Sequence, residues 1–575
     1  MLINQKNLNI MKNRLPQLTV RLKTIKKVLR KLIIPSFLLL SFSTTFAQST
    51  DKLFGLNYWL YQKLADGTVQ DNMASNLTEL KSWSPDIVRI GGNGPNNGFY
   101  GMDKTWYEAA IKNAKTMGAI PLVQLPIHLT TAQVSEFVYY INTTKGLGVT
   151  YWSIGNEPDP SDNNTSDGTT KDWDKWYAGT LTEDGFTFTT WKTKYKSLVT
   201  KLRQVYPSAI ICGPDFRHWW GTTTTGAFGT WYKSFLADVG VATTTTTSGT
   251  KPLLDIFAFH YYSDGLESDY DAKFTTLNSL IATTNTSRTA KGVAALKIAT
   301  GEFNATSNGT TFSAGQNMIA MAKQNLKNGA VYMCPWSPQE GNGFSMMSAT
   351  DVLYPTAQHW KLVSTLKKGN YMTGQISDTK GGHIMEFGMQ DANGYTIVLM
   401  NRSSTDYKIA VNFSTTVNTY NTATADVKFR FNSNQPTAAF SGVTLYKNST
   451  IVYTYNASGL RLNKYEYRSG WTAPLMSVVN AARFAAPKTA VVSETLNSEF
   501  KMYPNPVSDV LNVDVPSANN NTLEIYAIDG KKVYTKSVNG TNTTQVDVSK
   551  FSKGMYILKL LSTDSEEIVS KFIVK

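Results

Sequence analysis

YWSIGNEPD, Tyr151 to Asp159, is an apolar and aromatic run that stops abruptly at Gly155-Asn156-Glu157-Pro158. The run reads as a buried strand, and Pro158 cannot continue a hydrogen-bonded ladder. A carboxylate with an amide beside it therefore stands at the C-terminal end of a strand, the edge at which (β/α)8 barrels build their active sites. Asn-Glu-Pro alone is equally a turn with a solvated glutamate. Groups at equivalent strand ends decide between the two.

On both sides of this run, short apolar strands alternate with longer helical segments, the pattern of a parallel sheet. The strands read as 54–59, 86–92, 120–126, 150–157, 209–215, 255–262, 296–304 and 331–336, with helices such as Asp103–Met117, capped by Asp103, and Phe188–Val205 between them. This alternation predicts an α/β fold, a (β/α)8 TIM barrel over 48–368. An open doubly wound sheet would place a Gly-rich phosphate turn after the first strand, and the chain has none there. Long polar loops follow strands four and five (Pro160–Lys171 and Trp219–Thr230), and Ala242–Lys251, with its threonine run Thr243–Thr247, reads as a further solvated loop.

After Gly369 the helical period gives way to a period of two, in runs such as HIMEFGMQ, GYTIVLMN and TIVYTYN, which predicts a β-sandwich domain over 369–475. Residues 476–498 are rich in Ala, Val and Ser and read as a linker. A small all-β C-terminal domain over 499–575 completes the chain.

Composition bounds the function. The net charge of +14 suggests nucleic acid, but residues 1–47 hold nine Lys or Arg and no acid, so 14 less 9 leaves +5 for the remainder. No basic stripe with interleaved aromatics is present, so no nucleic acid is expected as a partner. The basic start leads into the apolar run Leu32–Phe42 and then Thr45 and Ala47, a signal peptide over 1–47. No other run is long and apolar enough to cross a bilayer, so no transmembrane segment is expected in the mature chain. Cys212 and Cys334 fall in apolar strands and read as buried free thiols; neither has metal-ligand spacing, so no metal and no cofactor is expected.

The second carboxylate is Glu302 in LKIATGEFN, ending the seventh strand. Two carboxyls at one barrel rim are what glycoside hydrolysis needs: one protonates the leaving oxygen, the other attacks the anomeric carbon or activates water. Facing strands four and seven would put them about 5 Å apart, the retaining geometry. Arg89, ending strand two, could hold a carboxylate ionised. His260 and Tyr262 end strand six beside Glu302, and Trp336 ends strand eight, where an indole could floor a sugar subsite. Trp59, Trp83, Trp106, Trp219 and Trp220 could line a cleft. Arg217 and His218 could meet an anionic group, but solvated loop residues is the reading preferred for them.

On these residues the barrel resembles clan A of the retaining glycoside hydrolases, whose signature is Asn-Glu ending strand four and Glu ending strand seven. The resemblance implies Glu157 as acid/base, Glu302 as nucleophile, Asn156 as the amide that meets a sugar 2-hydroxyl, and Arg89, His260, Tyr262 and Trp336 as substrate-binding rim residues. RIGGN and the β-sandwich look most like the arabinofuranosidase, glucuronidase and xylanase-like branches. In several of those an N-terminal strand joins the sandwich, whereas here the mature chain enters strand one almost at once. The last segment, with YPNP, IYAIDGKKV and GMYILKL, resembles the sorting domain of type IX secretion substrates from Bacteroidetes, which implies that secretion machinery as a partner and a place outside the cell or at its outer-membrane surface. The expectation is a secreted retaining hydrolase, endo-acting on a plant or algal polysaccharide. The alternatives are an exo-acting glycosidase on oligosaccharides and a non-catalytic glycan-binding surface protein.

Overall fold

In the computed structural model of the chain, residues 53–58, 62–63, 69–92, 104–158, 186–217, 227–265, 267–306, 309–340, 343–416, 420, 423–433, 438–479, 501–514, 521–527, 532–538, 543–562 and 568–575 are described. The signal peptide over 1–47, Trp59, Asp103, the loop 160–171, His218, Trp219, Trp220 and most of the linker stretch lie outside them.

Eight parallel strands close into a barrel: β1 (Leu53–Tyr58), β2 (Ile87–Ile90), β3 (Ile120–Leu125), β4 (Tyr151–Ile154), β5 (Ile210–Phe216), β6 (Ile256–Tyr262), β7 (Lys297–Asn304) and β8 (Tyr332–Pro335). Each pairs with its chain neighbours, and β8 closes on β1 through Leu53↔Tyr332 and Phe54↔Met333. A helix follows each strand: α1 (Leu77–Ser82), α2 (Lys104–Thr116), α3 (Thr131–Tyr139), α4 (Phe188–Val205), α5 (Ala227–Asp238), α6 (Glu267–Ala290), α7 (Phe312–Lys327) and α8 (Pro355–Thr365). The strands are built from β-branched and aromatic residues that bury both faces, as a barrel under a ring of helices requires. Residues that point into the barrel (Ile87, Leu122, Cys212, Ile256, Ala258, Ala299, Tyr332, Cys334) form their own cluster, which plugs it below the rim. Both cysteines are buried free thiols, as expected.

Two tryptophans expected near a cleft are instead core. Trp83 is fully buried and donates its indole N–H to Glu79 Oε1 at 2.9 Å, while Trp106 is buried on α2 against Tyr107. The threonine tract is no loop either: Thr243–Thr246 pairs with Gly249–Pro252 as an exposed hairpin, since β-branched threonine fits a pleated surface.

Among the described residues, ten further strands follow: β9 (Asn370–Met372), β10 (Gly374–Ile376), β11 (Ile384–Asp391), β12 (Gly394–Asn401), β13 (Tyr407–Phe413), β14 (Val427–Phe431), β15 (Phe440–Leu445), β16 (Ser449–Asn456), β17 (Arg461–Arg468) and β18 (Leu475–Val478). They form two sheets, ordered β9-β11-β12-β16-β17-β18 and β10-β14-β13-β15, around a shared core that includes Ile397, Val411, Phe429 and Tyr453. The last strand runs three residues into the stretch read as a linker. The outer face of the larger sheet joins the barrel core through Met385, Phe387, Val398 and Val452. Polar contacts tie the same seam: Gln316 on α7 donates to Ser449 O at 3.0 Å, and Lys323 meets Glu386 at 3.2 Å with both side chains buried. Residues 501–575 form a separate pair of small sheets around Leu511, Ile525, Leu558 and Phe572. Among the described residues, no helix is long and apolar enough to cross a membrane.

Candidate active site

The rim at the C-terminal ends of the strands carries the polar residues, and register explains how they meet. Asn57 pairs in register with Arg89 across β1 and β2, and His260 with Glu302 across β6 and β7. Alternation along β6 puts His260 and Tyr262 on the same inward face.

Arg89 is completely buried and acts as a hub. One terminal nitrogen, Nη1, donates to Asn57 Oδ1 at 2.9 Å and to Glu302 Oε1 at 2.8 Å. The other, Nη2, donates to Gln124 Oε1 at 3.0 Å and Asn156 Oδ1 at 2.5 Å, and lies 3.6 Å from Asp215 Oδ2. Asn57 is locked in turn, its amide donating to the carbonyls of Gly301, Cys334 and Pro335. Gln124 exchanges hydrogen bonds with Gly92, and a Cβ at Gly91 would meet Gln124 Oε1 at 2.3 Å. The glycines of RIGG thus leave the space in which that glutamine reaches the arginine.

The strand-four glutamate lies past the ladder. β4 ends at Ile154, Gly155 turns with φ +77°, and Glu157 itself adopts φ +46°. Asp215 near the end of β5 has φ +59°, and the two residues are joined by Glu157 N–H donating to the Asp215 carbonyl at 2.9 Å. Left-handed backbone costs a non-glycine residue about 1–2 kcal/mol. Here it aims two acids into one site.

The carboxylates and His260 converge. His260 Nδ1 lies 2.8 Å from Glu157 Oε1 and 3.3 Å from Glu302 Oε2, and one ligand atom from each of the three residues falls within 4.8 Å of the others. Tyr262 donates its hydroxyl to Glu302 Oε2 at 2.9 Å, so each oxygen of Glu302 accepts from a different fixed donor. Behind His260, Nε2 faces Asp215 Oδ1 at 3.6 Å, an ion-pair separation too long for a hydrogen bond. Asp215 accepts from Ser153 Oγ at 2.7 Å and is fully buried, and a Cβ at Gly301 would sit 2.1 Å from its Oδ1. Trp336 shares the rim, with its indole donating to Glu340 Oε2 at 2.6 Å.

Arg217 departs from its expected place as a solvated residue. It is buried, and its Nε donates to Glu157 Oε2 at 2.8 Å. Both oxygens of Glu157 are therefore engaged by cationic side chains. Burial pushes the Glu157 carboxyl up, but Arg217 and His260 outweigh it and hold the group well below the usual carboxylate range. Burial is likewise the largest influence on Glu302; with the charge of Glu157 it outweighs His260 and Arg89 and holds that carboxyl above its ordinary value. The two carboxyls are thus shifted in opposite directions, Glu157 downward by Arg217 and His260 against its burial and Glu302 upward by its burial. Burial would lower His260, yet Glu302, Asp215 and Glu157 together raise it to about 9. Asp215 is lowered against its burial by Arg89 and His260.

One ligand atom from each of Glu157, His260 and Glu302 lies within 4.8 Å of the others, a spacing at which these three residues could hold a metal ion.

All seven rim residues expected from the sequence stand at this end of the barrel, and the hydrogen bonds and ion pairs above join six of them in one network. Asn57, Gln124, Asp215 and the role of Arg217 were missed. Asn57 and Asp215 do stand at the ends of the first and fifth strands, the one signal that could have found them.

Residues 501–575 match the model of the secretion system C-terminal sorting domain. The chain is therefore a secreted or cell-surface protein. It is 28% identical over 80 residues, 14% of its length, to an endo-acting ulvan lyase from Formosa agariphila, and spans only 16% of that relative. Solved structures similar to it include an α-L-arabinofuranosidase from Thermotoga maritima (12% identity, 71% of this chain and 97% of that one, TM-score 0.49). A family 51 α-L-arabinofuranosidase from Bifidobacterium longum (14% identity, 71% and 96%, TM-score 0.45) is another. A third is a glycoside hydrolase family 30 subfamily 8 xylanase from Clostridium acetobutylicum (13% identity, 71% and 98%, TM-score 0.43).

Proposed function

We propose that this protein is a glycoside hydrolase that cleaves O-glycosidic bonds of a polysaccharide with retention, Glu302 acting as nucleophile and Glu157 as acid/base. The observation that carries the reading is the approach of Glu157 and Glu302 to within 4.8 Å on one rim. Carboxyls about 5 Å apart leave no room for an interposed water and direct one of them onto the anomeric carbon.

Arg89 and Tyr262 fix the Glu302 carboxylate for attack, while Glu157 gives a proton to the departing oxygen. The glycosyl-enzyme consumes the negative charge of Glu302, and Glu157 then takes a proton from the water that releases the sugar. Asn156, its carbonyl oxygen held by Arg89, is the amide assigned to a sugar 2-hydroxyl. His260, shared by the two acids, carries charge between their alternating states without moving. Passage of the chain to the cell exterior suits a polymer too large to import, which favours endo action.

Reducing-end release from a panel of plant and algal glycans tests the reading. Glu302→Gln should abolish release, whereas Glu157→Ala should recover on substrates with activated leaving groups, which need no proton. Full activity in either variant would refute the assignment. Product lengths separate endo from exo action, and binding without release by the wild type would point to a glycan-binding protein.

A further inference from the structure

One side chain of the β-sandwich is linked to the active-site rim. Arg402, the residue immediately after β12, donates from Nη2 to the amide oxygen of Asn317 on α7, while its Nη1 faces Met385 Sδ at 3.9 Å. Asn317 is 3% exposed, and its amide nitrogen donates to Asp264 Oδ1 at 3.1 Å. The other oxygen of Asp264 accepts from the Thr306 hydroxyl. Asp264 stands two residues beyond Tyr262, and Thr306 four beyond Glu302, so this carboxylate clamps together the segments that leave β6 and β7. The backbone makes a parallel link, with Ser263 N–H donating to the Asn304 carbonyl at 3.1 Å.

Tyr262 holds Glu302 Oε2 across those same strand ends at 2.9 Å, so the separation of the ends sets how firmly the carboxylate is gripped. Asp264 and Thr306 are exposed, and water competes for both; the clamp takes its geometry from the buried amide of Asn317. That amide is polar in opposite senses at its two ends. With the guanidinium on its oxygen, its nitrogen is aimed at Asp264. Turned over, it would set N–H groups against the cation and its oxygen against the carboxylate. Arg402 therefore selects the orientation that holds Asp264.

We infer that Arg402 is a positioning residue for the active site: the β-sandwich, through Asn317 and Asp264, holds the ends of β6 and β7 at the separation in which Tyr262 grips Glu302. The inference rests on the hydrolase reading above and gives the second domain a part in it. Gln316, the neighbour of Asn317 on α7, provides the comparison. Its amide donates to Asn401 O, Ser449 O and Thr450 Oγ1, all in the sandwich, so it docks the two domains without reaching the rim.

The test uses the full mature chain and the glycan that wild type cleaves best. In Arg402→Met, which keeps the stem and removes the donors, kcat should fall about tenfold, well inside the hundredfold that a 1 Å misplacement can cost. KM should stay within about twofold, as expected when ground-state binding is untouched. Arg402→Lys should restore part of kcat. Adding Asp264→Ala to Arg402→Met should cost no more than the larger single change, because both break one chain of contacts. Gln316→Leu should lower the melting temperature and leave kcat near wild type. Hydrogen exchange of segment 262–265 needs no substrate; it should quicken in Arg402→Met and stay unchanged in Gln316→Leu. A wild-type kcat in Arg402→Met, or equal losses of kcat in Arg402→Met and Gln316→Leu, would overturn the inference and leave the hydrolase reading intact. Release from no glycan by wild type would sink that reading, and unchanged exchange in Arg402→Met would overturn the coupling independently of it.

Discussion

Replacing Asp215 by Asn removes one buried negative charge without changing the side chain's shape. Asp215 lies 3.6 Å from both His260 Nε2 and Arg89 Nη2. Two unit charges at that distance interact by roughly 5 kcal/mol at an effective dielectric of about 20, an upper bound for either contact. Arg89 stays charged whatever happens, so the measurable change falls on His260. That group is raised to about 9, with Asp215 one of three acids responsible. Losing one neighbouring opposite charge lowers a pKa by about 1–3 units. The variant should therefore titrate His260 between about pH 6 and 8. If catalysis needs the imidazolium, the alkaline limb of kcat/KM should move down by the same amount, with the acidic limb little changed. Following the His260 ring protons by NMR across pH 5–10 reads the titration directly and needs no substrate. The Ser153 hydrogen bond can re-form to the asparagine oxygen, and the thermal melt at pH 6 serves as the control for folding. A His260 titration that stays within a few tenths of a unit of wild type would refute the view that Asp215 holds the imidazolium in place.

Other consequences follow from the same contacts. His260 is raised above its ordinary value, so its contribution to stability is complete below about pH 6.5 and lost as pH rises through about 9. It is on the order of 3 kcal/mol, and differential scanning calorimetry should show the barrel melting a few degrees lower at pH 9.5 than at pH 6.5, with a smaller difference in Asp215→Asn. Gly301→Ala would place a methyl 2.1 Å from Asp215 Oδ1 and should cost about 1–3 kcal/mol of stability together with most of the activity, as read by urea unfolding and glycan release. Glu386→Gln would leave Lys323 charged and buried at the seam between barrel and sandwich, and should destabilise that seam by about 3–5 kcal/mol in urea unfolding; no change would mean the pair is hydrated in solution.

The barrel was legible from the chain because its signal is local. Alternation of apolar strands with amphipathic helices appears within windows of a few residues, and YWSIGNEP places a carboxylate at a strand end without reference to anything distant. The pair Glu157 and Glu302 followed, since two strand ends of a closed barrel share one rim. The sandwich strands β11, β12 and β16 were equally plain, whereas β17, RLNKYEYR, was hidden by the charged residues on its half-buried faces.

The opposite shifts of the pair were not legible. They depend on Arg217, sixty positions from Glu157, and no local pattern distinguishes an arginine that turns inward from one that faces solvent. Nor could a pattern announce Asp215, which reaches the site because its backbone turns left-handed and Gly301 on another strand has no side chain to exclude it. The residue types at the strand ends determined by themselves what chemistry is available. Only barrel closure, by setting which strand ends face one another and at what distance, decided which way each acid is shifted, because electrostatic energies depend on separations of a few ångströms between residues far apart in the chain.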